Sequence, residues 1–392
     1  MPRLVSLLLL ALLWASAPAH AAPERERLRV VSFNVWGLPW GISRQRAERI
    51  AALGPALAAL KPDVVALQEV WVRADGEALT QALAAAGLVH ATHEHAGLLG
   101  SGLLVASRYP IEARRFEPYE LIGKLHKPYH GDAWARKGIL SLTLRTPLGA
   151  LRLVDTHVHA SYGGSEYRDV QAAQLLQLAG AAGDFGANPP PERADAARPP
   201  LLLLGDLNVR ADSLAFRLLC ARADLVPASR ELGIDWVLLR DGGGARWKVR
   251  KIQETLTDPV DLPSGARPLS DHPAVVADLE LQRGPPARWD PPGAQRAWRE
   301  AAAAARPWLT AQRDLAREWS GRWTGRAVFL TVVGALLLFA SHRRSKKRGQ
   351  CLLAALGLLL LHLAVWAMYL GVVHWRMQEV GLSNALTRLG PE

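Results

Sequence analysis

The chain has 392 residues, of which 49% are hydrophobic and 21% charged, with a formal net charge of +11. These proportions leave material for a large core and exclude wholesale disorder, while the length suits one large domain or two medium ones with tails. The basic balance points to an anionic partner (nucleic acid, a phosphate-bearing substrate or an anionic membrane face), and two cysteines, Cys220 and Cys351, are too few for a disulfide framework.

The first 22 residues have a basic start at Arg3, an apolar run over 4–14 and Ala-His-Ala before Ala22. That layout predicts a secretory signal peptide over 1–22, since the run is short for a membrane span of ~20 residues. From 23 to 282, short β-type runs alternate with helical patterns. RLRVVSFNVWG opens as a strand over 28–36, RQRAERIAALGPALAAL reads as an amphipathic helix, and DVVALQEV as a second strand. LTQALAAAGL is helical, SGLLVAS a strand, and GILSLTLRT with ALRLVDTHVHA a hairpin about Pro147 and Gly149. RDVQAAQLLQLAGAAG is helical, LLLLGDLNVR over 201–210 begins as a fully buried strand, and IDWVLLR and HPAVVADLEL close the set. The mixture predicts an α+β fold, a four-layer sandwich of two mixed β-sheets flanked by helices.

A Pro/Ala-rich stretch over 186–200 reads as a surface insertion, and RGPPARWDPPGAQ over 283–295 marks the end of the globular part. Residues 296–322 look helical, with Trp298, Trp308 and Trp319 among arginines, the pattern of an interfacial helix or of a simple stalk. Two apolar runs follow, 327–341 and 351–373, joined by HRRSKKRGQ. They predict a C-terminal transmembrane helical hairpin over 323–373, its cationic turn in the cytoplasm, and a tail over 374–392. With the signal peptide, this makes a multi-pass membrane protein whose domain 23–282 lies on the periplasmic or lumenal side.

Polar groups recur where apolar strands stop: Asn34 after VVSF, Glu69 after DVVALQ, His157 and His159 after LRLVDT, and Asp206 with Asn208 after LLLL. Asp235 sits in ELGIDWVLL, and Asp271 with His272 precede PAVVADL. One acid at a strand end is ordinary loop chemistry, but six such ends suggest convergence on one sheet edge. Carboxylates and amide oxygens are hard ligands suited to Mg²⁺ or Mn²⁺ rather than zinc. No glycine-rich phosphate loop, CxxC or HExxH is present. Metal-assisted attack by water is the chemistry such a set supports, with a histidine as base near neutral pH.

The order SFNVWG, LQEV, SGLLVASRYPI, DTHVHA, GDLN, IDW and LSDH resembles the endonuclease/exonuclease/phosphatase superfamily of metal-dependent phosphodiesterases, over roughly 28–281. Within it, NVWGLP (34–39) and HGDAWARKG (130–138), with the apolar hairpin, resemble neutral sphingomyelinases bearing two carboxyl-terminal membrane spans. The resemblance implies Glu69 as the principal Mg²⁺ ligand, assisted by Asn34 and with Asp271 close by. It implies His272 as general base oriented by Asp235, where Trp236 replaces the family's usual tyrosine. Asp206 and Asn208 would bind the phosphate and position water or leaving group, and His157 would stabilise the phosphoryl oxygens. Asp132 and Lys137 have the spacing of the family's aspartate–lysine switch pair; a solvated loop pair is the plainer reading of those two residues.

The expected activity is that of a phospholipase C-type phosphodiesterase acting on sphingomyelin or a related choline phospholipid in a bilayer. No nucleic acid partner is expected, the alternative being a membrane-anchored metal-dependent nuclease of the same superfamily. The loop carrying Trp36, Leu38, Pro39 and Trp40 reads as a bilayer-dipping element or as ordinary core. HATHEH, with His90, His93 and His95, lies outside every catalytic motif and has no cysteine beside it.

Overall fold

Apolar side chains alternate along strand β1 (Arg25–Asn34), and that alternation sets the layers. In the computed structural model, which describes residues 24–39, 41–94, 100–127, 129–183, 198–284, 291–343 and 347–390, Leu28 and Val30 join the core shared by two sheets. Val31 and Phe33 instead pack with helices α1 (Arg46–Ala59) and α2 (Arg73–Ala85). The expected signal peptide, Trp40, His95 and most of the 186–200 insertion lie outside the described residues.

The first sheet holds β1, β2 (Val64–Gln68), β3 (His90–His93), β4 (Leu104–Ser107), β11 (Ala245–Thr255) and β12 (Ala274–Arg283), in the order β11-β12-β1-β2-β4-β3. The second holds β5 (Ile111–Pro118), β6 (Gly138–Thr146), β7 (Gly149–His157), β8 (Leu201–Asp206), β9 (Val226–Pro227) and β10 (Asp235–Arg240), in the order β5-β6-β7-β8-β10-β9. Both sheets are mixed, because β1–β2 and β7–β8 are parallel inside otherwise antiparallel ladders. Helices α3 (Arg168–Gly183) and α4 (Leu214–Ala223) cover the second sheet, completing four layers.

Register brings the polar strand ends together. His157 pairs with Asp206, which pairs with Asp235 on its other side, so three strands end in one row. In the other sheet Asn34 pairs with Gln68, the residue before Glu69. Between the sheets, Gln68 Nε2 donates to Asp155 Oδ1 at 2.7 Å and ties β2 to β7. Gly205 makes the β7–β8 approach possible: its φ is +144°, and a Cβ there would lie 2.0 Å from the carbonyl oxygen of Thr156.

The carboxyl-terminal part is built into the globular unit. Helix α5 (Pro291–His342) is continuous for 52 residues, merging the expected juxtamembrane helix with the first apolar run. Its early face buries Ala301, Ala302, Ala305, Leu309 and Ala316 in the main core, and the Arg222 guanidinium lies 5.2 Å from the Trp298 ring. Neither a stalk nor a free interfacial helix describes this packing. Helix α6 (Lys347–Met368) runs through a π-helical stretch, Tyr369–Trp375, into α7 (Arg376–Arg388). The expected tail is therefore a helix that returns to the catalytic layers. Leu382, Ala385, Leu386 and Leu389 enter the core, Gln378 Nε2 donates to Gly123 O at 2.6 Å, and Asn384 Nδ2 donates to Glu120 Oε2 at 2.8 Å.

Gln295–His342 and Lys347–Arg388 each contain a stretch long and apolar enough to cross a membrane, which marks membrane association. They cross at glycines: a Cβ on Gly334 or Gly357 would lie 2.9 Å from the other's carbonyl oxygen.

Replacing Gly205 by alanine is expected to lower unfolding stability by about 2–3 kcal/mol, through strain and a forced separation of β7 from β8. The denaturation midpoint of the full chain in detergent reads this. An unchanged midpoint would mean that the two strands do not need their close approach.

Candidate active site

The row His157–Asp206–Asp235 from the second sheet faces Asn34 and Glu69 from the first. Asn34 Nδ2 lies 3.0 Å from Glu69 Oε1 and 3.0 Å from Asp206 Oδ2, so one amide bridges a carboxylate from each sheet. Its oxygen accepts the N–H of Trp36. The resemblance implies a part for Asn34 in holding metal; here its nitrogen meets Glu69 and Asp206 and its oxygen accepts from the backbone.

Asp235 Oδ2 accepts from His272 Nδ1 at 2.8 Å, which leaves His272 Nε2 facing the cleft 3.8 Å from Asp206 Oδ2. Trp236 is fully buried, tilted against Phe216, and donates Nε1–H to Val209 O at 2.9 Å. The departure at this position is thus absorbed by the core behind the site. Asn208 Nδ2 donates to Val158 O at 2.9 Å, fixing the turn after β8 to the end of β7.

Asp132 and Lys137 are not a solvated pair. Lys137 is buried, with Nζ 2.8 Å from Asp132 Oδ1, 2.8 Å from His157 Nε2 and 3.1 Å from Val158 O. Asp132 Oδ2 also accepts the N–H of Ala160 at 2.6 Å. Burial alone would raise the Asp132 carboxyl, but Lys137 and His159 hold it well below the carboxylate range.

The other groups divide by charge. Burial raises Glu69, opposed by Lys137 and the Asn34 hydrogen bond. Burial and the neighbouring Asp235 raise Asp206 to about 7. Burial and Lys137 push His157 well down, so its imidazole is neutral. His272 goes the other way: burial would lower it, but the hydrogen bond and charge of Asp235, with Asp206 and Asp271, raise it to about 9.

Eight of the ten expected site residues line one cleft of about 720 Å³: Glu69, Asp132, Lys137, His157, Asp206, Asn208, Asp271 and His272. Asn34 and Asp235 are buried in its wall. The cleft's aromatic lining is Trp36, Trp71, Tyr129, Trp134 and Tyr162; motif reading picks out Trp36 and the segment holding Trp134 and misses the other three. Trp71 follows LQEV directly, and its Nε1 is 3.5 Å from Glu69 Oε2. Tyr129, Trp134 and Ile42 are exposed at the rim. Of the NVWGLP loop, Pro39 is buried and Trp36 carries the Arg49 guanidinium 4.7 Å from its ring. None of the described residues of HATHEH lines the cleft, and His93 Nε2 is 2.8 Å from Val70 O.

A divalent cation fits the cleft's oxygens. Glu69 is desolvated and faces further carboxylates, while the nearby Lys137 ammonium is engaged by Asp132 and His157. Glu69, with Asp271 near enough for its charge to act on it, would hold the ion. Asp206, Asp235 and His272 also cluster within 4.8 Å. With Nδ1 held by Asp235, His272 offers Nε2 to that group, so it is a second candidate site for a cation.

Comparison with known proteins gives the chain a family. The endonuclease/exonuclease/phosphatase family profile matches residues 31–190. Sphingomyelin phosphodiesterase 2 of Mus musculus is 30% identical over 292 residues, spanning 66% of this chain and 67% of its own length. The chain belongs to the endonuclease/exonuclease/phosphatase family. Sphingomyelin phosphodiesterase 2 of Homo sapiens is 28% identical over 66% of each chain. The inositol phosphosphingolipids phospholipase C of Schizosaccharomyces pombe is 37% identical over 43% of this chain and 42% of its own. The chain thus spans about two thirds or less of most of these family members. The crystal structure of SmcL aligns at a TM-score of 0.51 over 65% of this chain and 99% of that one, at 17% identity, a likeness of fold.

In this family member the Asp132–Lys137 pair is a structural element as well as a cleft wall. Lys137→Met is expected to cost about 3–5 kcal/mol, because it leaves a buried carboxylate uncompensated. Lys137→Met with Asp132→Asn should cost less than the two changes added. Asp132 is depressed in the folded chain, so the pair's contribution is present above the ordinary carboxylate range and lost as pH falls toward the folded value. Additive losses in denaturant titrations would disprove the coupling.

Proposed function

We propose that the chain is a Mg²⁺-dependent phospholipid phosphodiesterase of phospholipase C type, hydrolysing sphingomyelin or a related choline phospholipid to phosphocholine and ceramide or a glyceride. The observation that carries it is the Asp235–His272 pair aimed across one cleft at Glu69 and Asp206, in a chain that also has two membrane-length apolar helices. That relatives of this chain are sphingomyelin phosphodiesterases supports the substrate class.

His272 Nε2 takes a proton from the attacking water as its oxygen bonds to phosphorus, and Asp235 holds the ring and the resulting imidazolium. The bond between phosphorus and the lipid oxygen breaks, and that oxygen takes up a proton. Lys137, His157 and Asn208 line the same cleft and would offset the charge that gathers on the phosphate's non-bridging oxygens. Mg²⁺ held by Glu69, with Asp271 beside it, would supply further positive charge to those oxygens.

The test is phosphocholine release from sphingomyelin vesicles containing the full chain. Release is expected to need Mg²⁺, to stop with chelator, and to fall by a factor of about 10²–10⁴ in His272→Ala. Equal release by parent and variant would overturn the mechanism, and plasmid nicking without lipid turnover would favour a nuclease.

A pH profile tests the orienting role of Asp235. The base works neutral, so kcat/KM rises as pH approaches the His272 value of about 9, and a bound cation that offsets the nearby carboxylates moves this limb down. Asp235→Asn removes the main raising charge: the limb should shift to lower pH by about one unit or more, with a reduced plateau. A limb that stays in place would assign it to another group.

A further inference from the structure

A second cavity, about 390 Å³, lies between the 125–134 loop and α6, lined by Leu125, Trp134, His362, Val365, Trp366 and Tyr369. Trp134 lines both this cavity and the catalytic cleft. The two spaces therefore share a wall, one ending in carboxylates and imidazoles, the other in apolar side chains. No side chain lining the second cavity is Asp, Glu, Lys or Arg. Its α6 wall belongs to the apolar run over 351–373, and Val365 and Trp366 are exposed there.

The walls are held together. His126 Nδ1 is 2.8 Å from His374 Nε2, Leu125 N donates to His374 Nδ1 at 3.3 Å, and Trp375 stacks on His126 at 5.6 Å. The loop is thus fixed to the turn that follows α6, and the groove is preformed.

Resting on the reading of the chain as a lipid phosphodiesterase, we infer that this groove receives a hydrocarbon chain of the lipid whose phosphate enters the cleft. A lipid beside α6 is already in contact with one wall. When its head group rises toward Glu69 and His272, the chain slides along Val365 and Trp366 to Trp134 instead of passing through water, where every exposed methylene would oppose the transfer. The absence of charge among the lining residues suits methylene groups and disfavours a phosphate or an acidic peptide.

The test uses the full chain in vesicles with Mg²⁺. Val365→Trp fills the groove, and Phe329→Trp alters an exposed apolar position on α5 that lines neither cavity. Each variant is assayed on long-chain sphingomyelin and on para-nitrophenyl phosphocholine, which has the head group and no chains. Val365→Trp is expected to lower the ratio of kcat/KM for the long-chain lipid to that for the soluble ester by about tenfold or more. Phe329→Trp should leave that ratio unchanged. In parallel, a choline phospholipid carrying a diazirine in one acyl chain is irradiated with the parent, and labelled peptides are mapped. Label concentrated at 125–134 and 362–369, and lost in Val365→Trp, supports the groove. Equal effects on both substrates, or label spread evenly around α5 and α6, overturns it. If the parent turns over neither substrate, the proposed function fails, and the label map alone decides the groove.

Discussion

The nitrogen of Asn34, 3.0 Å from a carboxylate oxygen of Glu69 and 3.0 Å from one of Asp206, is where the two sheets meet chemically. Both carboxylates are desolvated, and burying them is tolerable only if donors meet them. Asn34 can serve both because its own oxygen is fixed by the N–H of Trp36. That turn is held in its place by the buried Arg49, whose guanidinium donates to Val35 O, Trp36 O and Leu269 O. Ser270 Oγ donates to Asn34 O at 2.6 Å. The loop bearing Asp271 and His272 is therefore pinned to the same strand end as Asn34. Moving any one of these parts moves His272 relative to Glu69 and Asp206.

Four of the eight non-glycine residues with positive φ among the described residues lie in the same place. Trp36, Glu69, Tyr162 and Asn208 all have positive φ, between +49° and +63°, and all four line the cleft. Such conformations persist only where surrounding contacts over-determine them. Here the determinants are the hydrogen bonds of Asn34, Arg49 and Asn208, which set the direction of each side chain before substrate arrives.

The catalytic rows were legible because buried strands announce themselves as apolar runs, and a polar residue at the end of such a run is conspicuous. LLLLGDLN and DVVALQEV carry that signal directly. Edge strands do not. β5 (IEARRFEP) and β11 (ARWKVRKIQET) expose most of their charged side chains, so no apolar run marks them. The Lys137–His157 contact was hidden for another reason. Sequence spacing relates Lys137 to Asp132 on one loop, whereas His157 reaches it only through the pairing of β6 with β7. Asn34 could not be read through its type: an amide offers both an oxygen and a nitrogen, and the Trp36 N–H decides which faces the acids.

The carboxyl-terminal helices change what an anchor means in this chain. A flexible stalk would raise the local concentration of substrate while leaving the orientation of the cleft free. Here α5 enters the main core through its alanine face, and α7 returns to the same core after α6, so the membrane pair is held at both ends by the catalytic layers. The glycine contact between Gly334 and Gly357 fixes the pair internally. Orientation is then a property of the fold. The exposed side chains around the cleft mouth, Ile42, Tyr129 and Trp134, keep a constant relation to the apolar face of α6. An apolar rim that floated free in water would be a liability for aggregation. Held beside helices of membrane length, it instead continues their apolar surface, and this follows from the alanines of α5 as much as from the acids of the cleft.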